Sequence, residues 1–202
     1  MKRAGLGLLM MVAALPAFAA LKQGDPAPQF KTKASLAGKE FTFSLADALK
    51  KGPVVVYFYP SAYTGGCNAQ AHEFAVNSEK FAAAGASVVG VSLDNISRLN
   101  EFSADPEYCA GKLPVASDEK GDIAKSYDLK VITEYKGQSF ITMKDTRGVE
   151  IGHAAAERTT FIVTPDGKVA ATIGGIAPKE NVMKALEAVQ QLSSTKGASS
   201  GL

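Results

Sequence analysis

PVVVYFYP, running from Pro53 to Pro60, is the stretch on which the fold turns. A continuous β-branched and aromatic run of this kind suits a central strand buried on both faces. Downstream, Cys67 to Ala84 has helical spacing, with Phe74, Ser78 and Phe81 on one side. Ala86 to Leu93 (ASVVGVSL) is a second strand-like run and Thr159 to Thr164 (TTFIVT) a third. Pro165-Asp166-Gly167-Lys168 is a turn signal, so Val169 to Ile173 reads as the returning strand of a hairpin. Asn95 is placed to cap a helix through Phe102, and Ile123, Ala124 and Tyr127 mark a short helix after Asp118. A closing helix spans about Pro178 to Leu192, with Val182, Leu186 and Val189 as its apolar stripe.

Strand, helix, strand, helix, then a hairpin and a closing helix predict an α/β protein of thioredoxin-like fold, a central mixed β-sheet flanked by helices. The βαβ crossover makes the first strand pair parallel and the hairpin makes the last pair antiparallel. Lys130 to Glu157 is the least readable segment, with turn-like Lys136-Gly137 and Arg147-Gly148. It reads either as a hairpin insertion or as a functional loop.

The chain has 202 residues, enough for one domain with tails. Its net charge of +2 resides in Lys2 and Arg3, because residues 1–19 contain no acid. The remaining body is neutral and has no basic run, which argues against a nucleic-acid partner. Those first residues combine a positive start, the apolar run Leu6 to Ala14, a break at Pro16 and Ala17-Phe18-Ala19. This is the pattern of a secretory signal peptide over 1–19. An uncleaved anchor is the alternative, but a membrane span needs about 20 apolar residues and this run is shorter. The expected organisation is therefore a signal segment, a folded domain over 20–192, and a flexible tail over 193–202. A periplasmic location without stable membrane insertion follows, and such a compartment permits disulfides.

Chemistry converges on Cys67. Tyr59-Pro60-Ser61-Ala62-Tyr63-Thr64-Gly65-Gly66-Cys67 leaves a buried strand and enters a helix. A thiol in the first helical turn meets unpaired N–H groups and the positive end of the helix dipole, which suit a nucleophilic thiolate. Gly65 and Gly66 allow a tight backbone whose N–H groups point at an arriving oxygen. Thr64 supplies a hydroxyl three residues before the sulfur. A redox dithiol would carry cysteine at position 64, so a Cys-x-x-Cys exchange motif is absent. With two cysteines and two histidines, no metal centre or bound cofactor is expected.

These residues resemble the peroxiredoxins, whose pattern Pro-x-x-x-Thr-x-x-Cys is matched by Pro60, Thr64 and Cys67. Arg158-Thr159-Thr160-Phe161 fits the place of the family's catalytic arginine, Gln70 its acid-or-amide position, and Ser117-Asp118 precedes a helix as in relatives. The resemblance spans about Leu21 to Leu192 and is to the Q-type, bacterioferritin-comigratory-protein-like branch in an exported form. It implies a thiol-dependent peroxidase in which Cys67 attacks a peroxide oxygen. Thr64, backbone N–H groups near Gly66 and Cys67, and Arg158 would hold the oxygens, while Pro60 limits access. Hydrogen peroxide or organic hydroperoxides are the implied substrates. The reductant would be a thiol, from a thioredoxin-fold protein or a small molecule, and the assembly a monomer or homodimer.

The resolving thiol is less directly marked. Q-type relatives often place it five residues after the first cysteine, where this chain has His72. Another Q-type arrangement puts it on the helix before the Ser-Asp segment, and Cys109 is similar to that, implying an intramolecular Cys67–Cys109 disulfide. Asn68 departs from a common threonine. Bland readings stand beside these. Two cysteines in an exported protein can form a permanent bridge worth about 4 kcal/mol. Arg158 can be a surface ion-pair partner, Thr64 a helix cap, and His72 and His153 structural or exposed. Two other function classes stay open, a thiol–disulfide oxidoreductase and a non-enzymatic disulfide-stabilised binding module.

Overall fold

The computed structural model describes residues 20–199, so the expected signal segment lies outside the described residues. The chain begins with an antiparallel hairpin of β1 (Lys31–Leu36) and β2 (Lys39–Ser44), followed by α1 (Leu45–Leu49). There follow β3 (Val54–Phe58), α2 (Gly65–Val76), α3 (Ser78–Ala83), β4 (Ser87–Ser92), α4 (Ile96–Ala104), β5 (Val115–Ser117) and α5 (Asp122–Ser126). The poorly readable segment holds four two-residue strands, β6 (Val131–Ile132), β7 (Glu134–Tyr135), β8 (Gln138–Ser139) and β9 (Ala155–Ala156). The chain then forms β10 (Thr159–Val163), β11 (Val169–Gly174) and α6 (Pro178–Ser199).

Seven strands form one mixed sheet in the order β11-β10-β3-β4-β5-β1-β2. β3 pairs parallel with β4, and β10 pairs antiparallel with β11, as the crossover and hairpin arguments require. All five residues of β3 are buried, because helices cover both sides of it. Val55 and Tyr57 face the layer containing Phe74, Phe102 and Val182, whereas Val54, Val56 and Phe58 face Leu45, Ala124 and Tyr127. This two-residue alternation divides the core into two layers. Cys67 and Cys109 both belong to the first.

Tyr57 imposes a demand on its parallel neighbour. It pairs with Gly90, and a Cβ built there would lie 2.5 Å from Tyr57 Cζ. Gly90 is thus the gap that the phenol ring fills.

Three departures from the sequence reading have local causes. The helix expected over Cys67 to Ala84 breaks at Asn77, whose side-chain amide donates to the Glu73 carbonyl at 2.8 Å. Such back-bonding competes with the helical ladder. The closing helix continues to Ser199, through much of the span expected to be a flexible tail. The β1–β2 hairpin went unread because its mostly exposed, lysine-containing strands offer little apolar periodicity. Its turn is formed by Ala37 and Gly38, both with positive φ.

Candidate active site

The loop from β3 into α2 is held from below by Asp94. This buried carboxylate accepts from Ala62 N–H at 2.8 Å and from the Ser61 hydroxyl at 2.7 Å. Thr64 occupies the N-cap position of α2, but its hydroxyl makes no cap bond. It donates instead to the Ser61 carbonyl at 2.9 Å, leaving its lone pairs to accept. The Thr64 carbonyl accepts from Cys67 N–H at 2.9 Å and Asn68 N–H at 2.8 Å, which places Cys67 in the first turn. The N–H of Cys67 is accordingly engaged within the turn.

Arg158 immediately precedes β10, where the pairing of Thr159 with Phe58 brings it beside the end of β3. Its Nη2 lies 3.2 Å from Cys67 Sγ, and its Nη1 donates to the Gln70 side-chain oxygen. Gln70 in turn donates to Asn181 Oδ1 at 3.0 Å, which also accepts from the Thr160 hydroxyl at 2.6 Å. Asn181 Nδ2 closes the chain on the Ile173 carbonyl at 3.0 Å. Residues of α2, α6, β10 and β11 therefore fix one guanidinium. The sequence offered no sign of Asn181, because an asparagine beside the apolar stripe of a helix has no motif.

Pro60, Thr64, Gly66 and Arg158 floor a cavity of about 510 Å³. Ile132, Phe140, Met143 and Ile176 contribute its walls. Most of that wall comes from the segment between α5 and β10, so the unread stretch is both a set of small hairpins and part of the site. Gly66 is closely fitted, since a Cβ there would lie 3.1 Å from Arg158 Nη2.

Cys109 is not helical. It lies in successive turns after α4, and positive φ at Ala110 and Gly111 prevents a helix from continuing. This corrects its expected placement on a helix before Ser117-Asp118. Asp118 itself receives the N–H groups of Ile123 and Ala124 at the start of α5. Cys67 and Cys109 are both buried, free thiols. Burial, with a smaller contribution from Asp105, pushes the Cys109 thiol far above the usual cysteine range. Of the two sulfurs, Cys67 is the one in contact with a cation, a guanidinium that itself lines the cavity.

The histidines divide. His72 is exposed and shares a 2.8 Å hydrogen bond with the Glu107 carbonyl. His153 is half-buried, with Nε2 2.8 Å from Asp94 Oδ1 and Nδ1 2.6 Å from the Ala154 carbonyl. Burial opposes a charged imidazole there, and so does Arg98. The Asp94 hydrogen bond and charge outweigh both and raise His153 above its ordinary value. Asp94 is lowered, its own burial being overcome by His153, Ala62 and Ser61. Arg98 adds a contact of 3.1 Å to Asp94 and one of 2.8 Å to Asp145.

A family model described as AhpC/TSA family matches residues 23–172. A putative peroxiredoxin of Helicobacter pylori is 32% identical over 171 residues, covering 84% of this chain and 98% of the relative. Chloroplastic peroxiredoxin Q of Populus jackii is 40% identical over 112 residues, covering 54% of this chain and 48% of the relative. Among solved structures, a peroxidoxin BcpB of Mycobacterium tuberculosis aligns with a TM-score of 0.68 at 27% identity, covering 85% and 97% of the two chains. A peroxiredoxin Q of Xylella fastidiosa has the same fold, with a TM-score of 0.67 at 22% identity, covering 87% and 99%. Together with the guanidinium held on a helix-terminal cysteine, these matches establish that the chain belongs to the AhpC/TSA family, as a peroxiredoxin of the Q-type, BCP-like branch.

Proposed function

We propose that Cys67 is the nucleophile of a thiol-dependent peroxidase and that Cys109 resolves its oxidised form. The observation carrying this reading is the Arg158 Nη2–Cys67 Sγ contact of 3.2 Å, made by a guanidinium that lines a cavity. The Cys67 thiolate attacks one oxygen of the hydroperoxide in line with the O–O bond. An S–O bond forms, the O–O bond breaks, and the departing oxygen leaves as water or alcohol after taking a proton. Arg158 is placed to stabilise charge on that oxygen. The Thr64 lone pairs can accept the hydroperoxide hydrogen, and Pro60 borders the approach. Cys67 is left as sulfenic acid. The Cys109 sulfur then bonds to the Cys67 sulfur and hydroxide departs, taking up the thiol proton to form water.

The walls of Ile132, Phe140, Met143 and Ile176 support organic hydroperoxides with an apolar group as substrates alongside hydrogen peroxide. A thiol reductant, from a thioredoxin-fold protein or a small molecule, returns the disulfide to two thiols. We assign the mature protein, residues 20–202, to the periplasm on the strength of its N-terminal sequence pattern. The test is a peroxide challenge of the reduced mature protein, with Cys67→Ser and Cys109→Ser in parallel, followed by intact mass and non-reducing peptide mapping. The expected product is a Cys67–Cys109 disulfide, with the Cys109→Ser form stopping at sulfenic acid. A reaction that survives Cys67→Ser would overturn the reading. Disulfide exchange without peroxide would identify an oxidoreductase, and neither reaction would leave a binding module.

A further inference from the structure

Tyr63 joins three separate parts of the chain. It is buried in the loop before Cys67 with φ of 61°, a left-handed backbone that a tyrosine holds only where its surroundings over-determine it. Its carbonyl accepts two hydrogen bonds from Thr146, one from N–H and one from the hydroxyl, each 2.8 Å. The Arg147 guanidinium lies 3.4 Å from the centre of its ring. Arg147 is fixed by Asp145 at 3.1 Å and by Glu101 of α4 at 2.7 Å. On other sides the ring meets Phe102 and Tyr108 edge-on, with centroids 5.1 and 5.8 Å away. Tyr108 is the immediate neighbour of Cys109. Asn68, next to Cys67, repeats part of the connection, since its amide reaches the Thr146 hydroxyl at 3.5 Å.

A disulfide between Cys67 and Cys109 requires a bond of about 2 Å between two buried sulfurs that are free here. The segments carrying them are the ones that Tyr63 ties together, with Thr146 and Arg147 laid across the tie. We propose that Tyr63, clamped by Thr146 and Arg147, is a latch that sets the rate at which Cys67 sulfenic acid reaches Cys109. The three are positioning residues, and none touches the hydroperoxide. The latch rests on the assignment of Cys109 as resolving thiol. While it is closed, Cys67 sulfenic acid stays near Arg158, where a second peroxide can oxidise it to sulfinic acid.

The test is rapid-quench mass spectrometry of the mature protein and of Arg147→Ala, Arg147→Lys and Thr146→Val. It measures sulfenic acid formation and its conversion to disulfide as separate steps. Thr146→Val removes one hydroxyl and retains the backbone bond, so it addresses the latch with little risk to folding. Disulfide formation should be faster by a factor of about 3 to 10 in Arg147→Ala, the scale of a partly desolvated cation–π contact. Arg147→Lys, which keeps charge but loses the planar stack, should fall between. The rate of sulfenic acid formation should be unchanged, and less sulfinic acid should accumulate at high peroxide. An unchanged or slower disulfide step in both Arg147→Ala and Thr146→Val, with the disulfide still forming, would overturn the latch alone. Absence of any Cys67–Cys109 disulfide in the unsubstituted protein would overturn the resolving assignment and the latch with it.

Discussion

The Arg158 guanidinium bridges Cys67 and Gln70, one nitrogen 3.2 Å from the sulfur and the other bonded to the amide oxygen. The guanidinium's positive charge is thus aimed at the sulfur by an uncharged partner, itself held by Asn181. Arg158→Ala should slow sulfenic acid formation about 100-fold or more, the cost of losing a charge-stabilising donor. Gln70→Leu leaves the guanidinium in place but unaimed and should slow the step about tenfold by the same logic. Peroxide-dependent oxidation under single-turnover conditions measures both, and a Gln70→Leu rate equal to the unsubstituted one would remove Gln70 from the positioning of Arg158.

Gly66 tests the same geometry from the opposite side. Alanine is the better helix former, so Gly66→Ala in the first turn of α2 should not lower thermal stability. Its Cβ would nevertheless press on Arg158 Nη2 from 3.1 Å. The expected outcome is an unchanged or higher melting temperature with slower sulfenic acid formation. Rate and stability falling together would contradict it.

His153 makes stability depend on pH in a definite direction. Its value in the folded protein is raised above the ordinary 6.5, so folding favours the protonated form. That contribution is fully present below the ordinary value and is lost as pH rises through the elevated folded value. Chemical denaturation from weakly acidic to weakly alkaline pH should therefore show stability declining across neutrality. His153→Gln should flatten that decline, and a profile identical to the unsubstituted protein would show that the imidazole does not titrate against Asp94.

Gly90→Ala should be among the most damaging substitutions of a small residue. Its new methyl would meet the Tyr57 ring at 2.5 Å, between two buried residues of paired central strands. Overpacking of this kind costs about 1–3 kcal/mol or more. The pair Gly90→Ala with Tyr57→Leu, which removes the ring carbon that the methyl would meet, should lose less than the sum of the two single substitutions in urea denaturation.

The sequence made the long-range frame legible where apolar runs and turn chemistry agree. PVVVYFYP, the Asn95 cap and the Pro165–Lys168 turn each specify a local structure that the packed sheet also requires. Cys67, Thr64, Pro60 and Arg158 were readable through the motif and its order; Pro60, Thr64 and Arg158 line one cavity, and Arg158 touches the Cys67 sulfur. What escaped had no periodicity to betray it. Asp94 follows a strand and looks like any loop acid until the fold buries it beneath Ala62. Arg147 and Tyr63 lie far apart in sequence, and only the path of the chain between α5 and β10 brings ring and guanidinium together.

That path divides inheritance between two parts of the molecule. Arg158 takes its position from the pairing of β10 with β3, and Thr159 opposite Phe58 anchors it whatever the length of the preceding stretch. The wall of the cavity and the clamp on Tyr63 belong to that stretch. On the proposed function, insertions or exchanges between Lys130 and Glu157 would therefore reshape the cavity entrance and the hold on the loop before Cys67, while Arg158 stays where the sheet puts it. The fold thus separates the part of the cavity set by the sheet from the part set by one excursion of the chain.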